Sequence, residues 1–141
     1  MQFMTSNLST HGLHDASQMG MRAAVGVIFI VHGFSKFGNS GFGEWIVTLG
    51  IPSEMQVPIA LAEFIPGILL IIGVLTRISA SLISIVMLGA IFLVKGASSL
   101  TGDYGYELDL ILLAACLVVI VAGPGRVSLS YVLKKVPRVL Q

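Results

Sequence analysis

The sequence predicts an all-α polytopic membrane protein, a bundle of four transmembrane helices followed by a short C-terminal amphipathic helix. Hydrophobic residues make up 55% of the 141 residues and charged residues only 11%, and the mean hydropathy is +0.95. A soluble domain carries about 25% charged residues, so this composition excludes an ordinary globular protein. The apolar residues are concentrated in four runs, at residues 21–37, 57–75, 78–94 and 108–122.

The length of these runs is compatible with membrane spans. As helices they extend roughly 22–28 Å at about 1.5 Å per residue, and flanking residues complete a crossing of the ~30 Å hydrocarbon core. Little chain remains outside the runs. We therefore expect a cytoplasmic N-terminal segment (1–19), one membrane domain (20–126) and a basic amphipathic tail (127–141).

The elements follow one another through recognisable breaks. The first helix is expected to start near Gly20 and to stop at the glycine-rich residues 38–43, which favour turns. Trp45 then lies in a short segment suited to the membrane interface. The second helix contains Pro66, which leaves the carbonyl of Ala62 without its helical donor. A tight turn leads into the third helix, and a polar loop at 96–106 leads into the fourth.

The basic residues orient the predicted bundle. With four spans, both termini and the turn between the second and third helices share one side. That side holds six of the eight basic residues, namely Arg22, Arg77, Arg126, Lys134, Lys135 and Arg138. The positive-inside rule places this side, with both termini, in the cytoplasm. We therefore expect a multi-pass protein of the plasma membrane. Anionic lipid is the expected contact of the basic tail.

Ionisable residues recur towards the other end of the helices. They are His32 and Lys36 on the first helix, Glu63 on the second, Lys95 at the end of the third, and Glu107 and Asp109 at the start of the fourth. A charge inside the bilayer costs roughly 2.5–3.5 kcal/mol even on the mildest scale. Such residues are retained when they pair with one another or have a function, and both signs of charge are present here.

The depths of these residues indicate which of them can meet. His32 lies roughly 8 Å and Glu63 roughly 9 Å inside the outer end of their helices, so we expect His32 to hydrogen-bond Glu63. Glu107 and Asp109 are separated by about 200° around their helix and cannot both face one partner. Two interpretations stay open: a ligand site, or a structural network in which Glu63 or Glu107 neutralises Lys36 or Lys95.

Metal and covalent cofactor sites are not expected. One imidazole with carboxylates is a poor ligand set for zinc or copper. The single cysteine, Cys116, lies in the middle of the fourth run and excludes an internal disulfide, a C-x-x-C pair and a haem-attachment motif. An electron carrier would have to be bound elsewhere or diffuse in. No nucleic-acid partner is expected.

Several segments resemble the DoxX family, in order and over residues 20–133. Residues 22–36 resemble its first-helix signature, with His-Gly followed by a Lys three positions after the Gly. Residues 63–77, from a Glu to a closing Thr-Arg, resemble the second helix, although Pro66 stands where the first of two adjacent glycines is frequent. Residues 105–115 and 123–129 resemble the start and end of the fourth. Lys95 stands where many relatives carry a histidine.

The resemblance implies a four-helix membrane protein associated with redox chemistry, including quinone-linked sulfur or thiol oxidation. We expect a small subunit of such a membrane complex, which is at most a non-autonomous part of an oxidoreductase and which binds protein partners and a quinone. Lys36 or His32 would bond the quinone carbonyl, and Glu63 or Glu107 would exchange the proton. Lys95 and Asp109 complete the expected ligand site. The alternatives are a non-catalytic assembly subunit and a small-solute carrier.

Overall fold

The structure is a computed structural model that describes residues 12–133 and residue 137. Its regular elements are helices throughout this part of the chain, as predicted. They are α1 (Gly12–Lys36), α2 (Ser40–Thr48), α3 (Gln56–Ile72), α4 (Thr76–Gly89), α5 (Glu107–Ala122) and α6 (Leu129–Leu133). A 3₁₀ turn (Ser53–Met55) precedes α3, and a π-helical turn (Ala90–Val94) extends α4.

Four long helices form a closed ring of contacts. α1 packs against α3 and α5, and α4 packs against the same two helices on the other side. The centre of the ring is a core of buried residues from all four helices: Val25, Phe29, Leu70, Ala80, Ile83, Met87, Leu112, Cys116 and Val119. The two ends of this bundle differ in chemistry, and we name them the Lys36 end and the Arg22 end after residues near opposite ends of α1.

The closest helix contact is between α1 and α3, and it depends on glycine. A Cβ added to Gly26 would lie 2.6 Å from the carbonyl oxygen of Gly67, and one added to Gly67 would lie 2.8 Å from that of Gly26. A Cβ on Gly33 would lie 2.7 Å from the carbonyl oxygen of Ala60. Small residues at helix interfaces in membranes permit such approach of the backbones. This contact fixes how α1 and α3 are rotated relative to each other.

α1 begins at Gly12, eight residues before the predicted start near Gly20. Its first turns place three polar residues, Asp15, Gln18 and Arg22, on the face that also buries Val25. Because i, i+3 and i+7 positions share one face of a helix, these polar side chains point into the bundle. The predicted start near Gly20 is wrong because these polar residues belong to the helix and are buried inside the bundle.

The glycine-rich residues 38–43 do not form an extended turn. Asn39 caps α2 by accepting a hydrogen bond from the backbone N–H of Phe42, and α2 then runs at 94° to α1. Gln56 holds this bend, since its Nε2 donates to the carbonyl oxygens of Lys36 at 2.7 Å and Asn39 at 2.8 Å. The segment therefore lies across the Lys36 end of the bundle as a short helix.

The number of candidate membrane spans is smaller than predicted. Among the described residues, Ser53–Ile72 (20 residues) and Thr76–Val94 (19 residues) are each long and apolar enough to cross a membrane. α1 and α2 qualify together, as one span broken at the bend. α5 is apolar but has only 16 residues, because it ends at Ala122 and is followed by Gly123, whose φ is +75°. Length and composition thus support two or three spans, and the predicted four are not confirmed.

The C-terminal segment begins with α6, which is attached to the turn between α3 and α4. The backbone N–H of Ser130 donates to the carbonyl oxygen of Gly73 at 3.2 Å. The predicted amphipathic tail extends further, and its basic residues Lys134, Lys135 and Arg138 lie outside the described residues.

Candidate functional site

A cavity of about 300 Å³ lies inside the bundle towards the Lys36 end. α1, α3, α4 and α5 form its wall and α2 covers it. Most of the lining is aliphatic or aromatic, including Ile28, Phe29, Ile46, Met87 and Leu112. The polar lining is contributed by His32, Lys36, Glu63 and Asp109. Four of the six residues predicted from the sequence as site residues therefore line one cavity.

Lys36 and Glu63 form an ion pair at this cavity. Glu63 is 4% exposed, and its Oε2 accepts a hydrogen bond from Lys36 Nζ. Lys36 is held by further contacts, because its Nζ is 3.4 Å from the carbonyl oxygen of His32 and 5.4 Å from the centre of the Phe42 ring. The carboxylate is placed by α3 and the ammonium by the last turn of α1, where the helix dipole favours a cation.

Lys95 and Asp109 form a second ion pair on the opposite side of the cavity. The Nζ of Lys95 lies 2.5 Å from Asp109 Oδ2 and 2.9 Å from the carbonyl oxygen of Gly105. Lys95 ends the π-helical turn, where its backbone N–H donates to the carbonyl oxygen of Ala90 at 3.0 Å. Asp109 lines the cavity, whereas Lys95 is not among the lining residues. Glu63 thus neutralises Lys36, one of the pairings left open by the sequence, whereas Lys95 is neutralised by Asp109 and not by Glu63 or Glu107.

The structure separates Glu107 from this group. Glu107 is the first residue of α5 and is exposed, whereas Asp109, two residues later, is buried. This confirms that the two carboxylates face different directions. Glu107 lies outside the cavity lining, so its predicted role in proton exchange is not supported by its position.

His32 lines the cavity, but the hydrogen bond to Glu63 that was expected is not formed. Within residues 12–133 the Glu63 carboxylate is bonded to Lys36 instead. The His32 ring is exposed and lies 6.4 Å from the ring of Phe29, at an interplanar angle of 41°. Lys36 reaches Glu63 because it stands one turn beyond His32, closer to the end of α1.

α2, which contains the segment around Trp45 that the sequence predicts for the membrane interface, also contributes to the cavity. Phe42, Trp45 and Ile46 all line the cavity, and the Phe42 and Trp45 rings are 5.7 Å apart. The cavity can accept a flat apolar group whose polar atoms reach the ammonium of Lys36. Among residues 12–133 and 137, no three His, Cys, Asp or Glu side chains are grouped closely enough to hold a metal ion.

Comparison with known proteins identifies the family. The DoxX family matches residues 18–96, more than half of the chain. The chain belongs to the DoxX family. This match includes Lys36, Glu63 and Lys95, three of the four residues in the two ion pairs. It confirms the resemblance seen in the sequence.

This DoxX protein is similar to several bacterial proteins. It is 38% identical over 93 residues (65% of the chain, 69% of the relative) to "Putative oxidoreductase CatD" of Bacillus subtilis strain 168. It is 31% identical over 118 residues (77% and 84%) to the inner membrane protein YphA of Escherichia coli K12. It is 30% identical over 141 residues (89% and 86%) to the membrane protein Rv3486 of Mycobacterium tuberculosis H37Rv. No solved structure matches the chain.

A polar cluster at the Arg22 end of this DoxX protein was missed from the sequence. Arg22 is 0% exposed and donates from Nη1 to the carbonyl oxygen of Leu70 at 3.0 Å and from Nη2 to that of Val127 at 2.5 Å. Asp15 Oδ1 accepts from the backbone N–H of Arg126 at 3.0 Å. The i, i+3, i+7 spacing of Asp15, Gln18 and Arg22 was a signal that could have found this cluster.

Proposed function

We propose that this DoxX protein is a small integral membrane subunit of a quinone-linked redox system, and that its cavity receives the quinone head group. One observation carries the proposal: an apolar cavity of about 300 Å³ is bounded by a lysine–carboxylate pair on each side. This volume is at the lower end of small-molecule pockets and suits a head group of one or two rings. The relative CatD is named as an oxidoreductase, and this name supports a redox function.

The residues have different roles in this proposal. Reduction of a quinone to a quinol takes two electrons and two protons. A partner protein that oxidises a thiol or sulfur compound would supply the electrons. Lys36 would donate a hydrogen bond to one quinone carbonyl, and Glu63 would exchange a proton beside it. His32, exposed on the same wall, is the second donor within the cavity, and Asp109 with Lys95 bounds the far side.

The proposed topology has four membrane crossings, with both termini in the cytoplasm. α5 supports this, because its 16 residues extend about 24 Å and it packs against α1 and α4. The distribution of charge supports the orientation. Arg22, Arg77 and Arg126 are at the Arg22 end, whereas Lys36 and Lys95 at the other end are each paired with a carboxylate.

A second candidate function is a non-catalytic assembly subunit, and the ion pairs favour it too. Each lysine at the cavity already has a carboxylate partner, so the pairs could serve only to join α1 to α3 and α4 to α5. The two functions differ in one testable respect. A quinone site requires the cavity to bind a ligand, whereas an assembly subunit does not.

Trp45 makes the cavity directly observable. It is the single tryptophan of the chain and lines the cavity, so intrinsic fluorescence reports on its contents. The experiment titrates the purified protein in dodecyl maltoside with decylubiquinone or menadione. The quinone-site proposal predicts saturable quenching. Decanol, which shares the apolar character without the carbonyls, should not reproduce it.

A matched pair of variants makes the titration specific. Ala90→Phe adds bulk to a residue that lines the cavity and should weaken quenching at least tenfold. Leu88→Phe adds bulk to the same helix at a half-exposed position outside the lining and should change little. Quenching that is linear in quinone concentration, or equal in the two variants, would contradict the quinone site and favour the assembly subunit.

A further inference from the structure

A second depression lies on the outer surface of the bundle at the Arg22 end, between α4 and α5. Its volume is about 560 Å³, and it is lined by Arg77, Ile78, Ser81, Leu82 and Ile85 of α4 and by Ile120 of α5. The four aliphatic residues are on the part of the surface that would face lipid, and Ile85 is 66% exposed. The groove therefore has one cationic end and an apolar wall leading away from it.

Arg77 has no ion-pair partner in the part of the chain that the structure describes, where the ion pairs are those of Lys36 and Lys95. Its Nε atom is buried and has no hydrogen-bond partner among the same residues. All seven acidic side chains of the sequence are among the described residues. Of these only Asp15 lies at the Arg22 end, where it accepts a backbone hydrogen bond from Arg126. Within residues 12–133, the cation at the mouth of the groove therefore has no carboxylate partner.

Two further features favour an anion there. Arg77 is in the first turn of α4, the positive end of the helix dipole, where a negative charge is stabilised and a second positive charge is not. Leu75 at the N-cap of α4 provides no side-chain hydrogen bond to the first turn. The guanidinium group also suits phosphate, because its donors match phosphate oxygens in pairs.

We propose that this groove binds an anionic phospholipid, with its phosphate on Arg77 and an acyl chain along Ile78, Leu82, Ile85 and Ile120. The apolar wall extends from Arg77 to Ile85, eight residues or about 12 Å along the helix, in the direction that an acyl chain takes from its head group. Basic pockets between transmembrane helices are a known setting for anionic lipid head groups. In the proposed topology this lipid belongs to the cytoplasmic leaflet.

Native mass spectrometry of the full chain tests this site. The protein in neutral detergent is titrated with dioleoyl phosphatidylglycerol and dioleoyl phosphatidylcholine. The wild type should bind phosphatidylglycerol at least tenfold more tightly. Arg77→Gln should remove about tenfold of that affinity. Arg126→Gln, which removes the same charge from an exposed residue at the same end, should change it less than twofold.

Two results would overturn the proposal. Equal losses in Arg77→Gln and Arg126→Gln would show that binding depends on diffuse charge and not on the groove. Both lipids carry a phosphate and differ in net charge, so equal affinity of the wild type for the two would show that the site does not select an anionic lipid. The wild-type comparison does not depend on whether a variant folds.

The length of the lipid tests the apolar wall by itself. Dihexanoyl phosphatidylglycerol and glycerol phosphate carry the same head-group chemistry with shorter chains or none. Their affinity for the wild type should fall at least tenfold below that of the dioleoyl lipid. If glycerol phosphate binds as tightly as the lipid, the site is an anion site without an acyl groove, and the lipid proposal is wrong.

Discussion

Lys36 at the end of α1 and Glu63, two turns into α3, form an ion pair across the most closely packed helix interface of the protein. The pair lies at the boundary between the α1–α3 contact and the cavity. Its carboxylate is almost completely buried. The ion pair therefore contributes both to the stability of the bundle and to the charge of the cavity. Substitutions can separate these two contributions.

Removing either partner of this pair should destabilise the protein. Glu63→Gln leaves a lysine, and Lys36→Gln a carboxylate, without compensation, which costs about 3–5 kcal/mol in buried sites. The double variant should lose less than the sum of the single variants, because no charge is then left alone. Unfolding of the detergent-solubilised protein by dodecyl sulfate, followed by circular dichroism, gives the three free energies. Additive losses would show that the two residues do not interact.

The two carboxylates at the start of α5 provide a test with an internal control. Asp109→Asn removes the partner of Lys95 and should lower the free energy of unfolding by about 2 kcal/mol or more, within the range for broken buried networks. Glu107→Gln makes the same chemical change at an exposed position and should stay within ~0.5 kcal/mol. The same unfolding experiment measures both. An equal loss in the two variants would place Glu107 in the network, against its position in the structure.

The glycine contact between α1 and α3 can be tested with a matched pair on α1. Gly26→Ala places a Cβ 2.6 Å from the carbonyl oxygen of Gly67, so the helices must separate, at a cost of about 1–3 kcal/mol. A Cβ on Gly20 meets no atom within 4 Å. Gly20→Ala should therefore stabilise the helix by about 0.5–1 kcal/mol. Thermal unfolding, followed by circular dichroism, distinguishes the expected destabilisation in Gly26→Ala from the expected stabilisation in Gly20→Ala. A neutral Gly26→Ala would contradict the close approach.

The proposed topology predicts which positions are accessible from outside the cell. Ser98→Cys lies in the exposed loop at the Lys36 end and should react with a membrane-impermeant maleimide in intact cells. Ser17→Cys at the Arg22 end should react only after lysis. The native Cys116 is 0% exposed and should give little background. The reversed pattern would invert the orientation, and reaction of both positions in intact cells would contradict the four crossings.

The all-helical class followed from the sequence because apolar composition depends on local chemistry, whereas the predicted four spans are not confirmed. The sequence does not reveal which acid meets which base, since helical rotation decides it. Glu63 faces Lys36 because Gly26 and Gly67 set the rotation of α1 against α3. Both Lys36 and Lys95 were possible partners of Glu63, and a single sequence contains no measure of the rotation that decides between them.

The start of α1 and the role of α2 could not be predicted for a different reason. A polar residue is predicted to be exposed unless its partner is known. The partners of Arg22 are the backbone carbonyl oxygens of Leu70 and Val127. Glycines 41 and 43 predict a turn, but the segment is a helix that Asn39 and Gln56 hold in place. The Asn39 cap is a local contact, but the contacts of Arg22 and of Gln56 join residues that are distant along the chain.

The contact of Arg22 with Val127 has a consequence for biosynthesis. The two residues are separated by 105 positions, which at ~5–20 residues per second is roughly 5–20 s of translation. During that interval the guanidinium of the first helix has no carbonyl oxygen from the end of the chain to bond. A segment made after α5 thus completes the hydrogen bonding of an arginine in the first helix, and a product truncated before Val127 keeps the Leu70 contact of Arg22 but lacks the contact from Nη2.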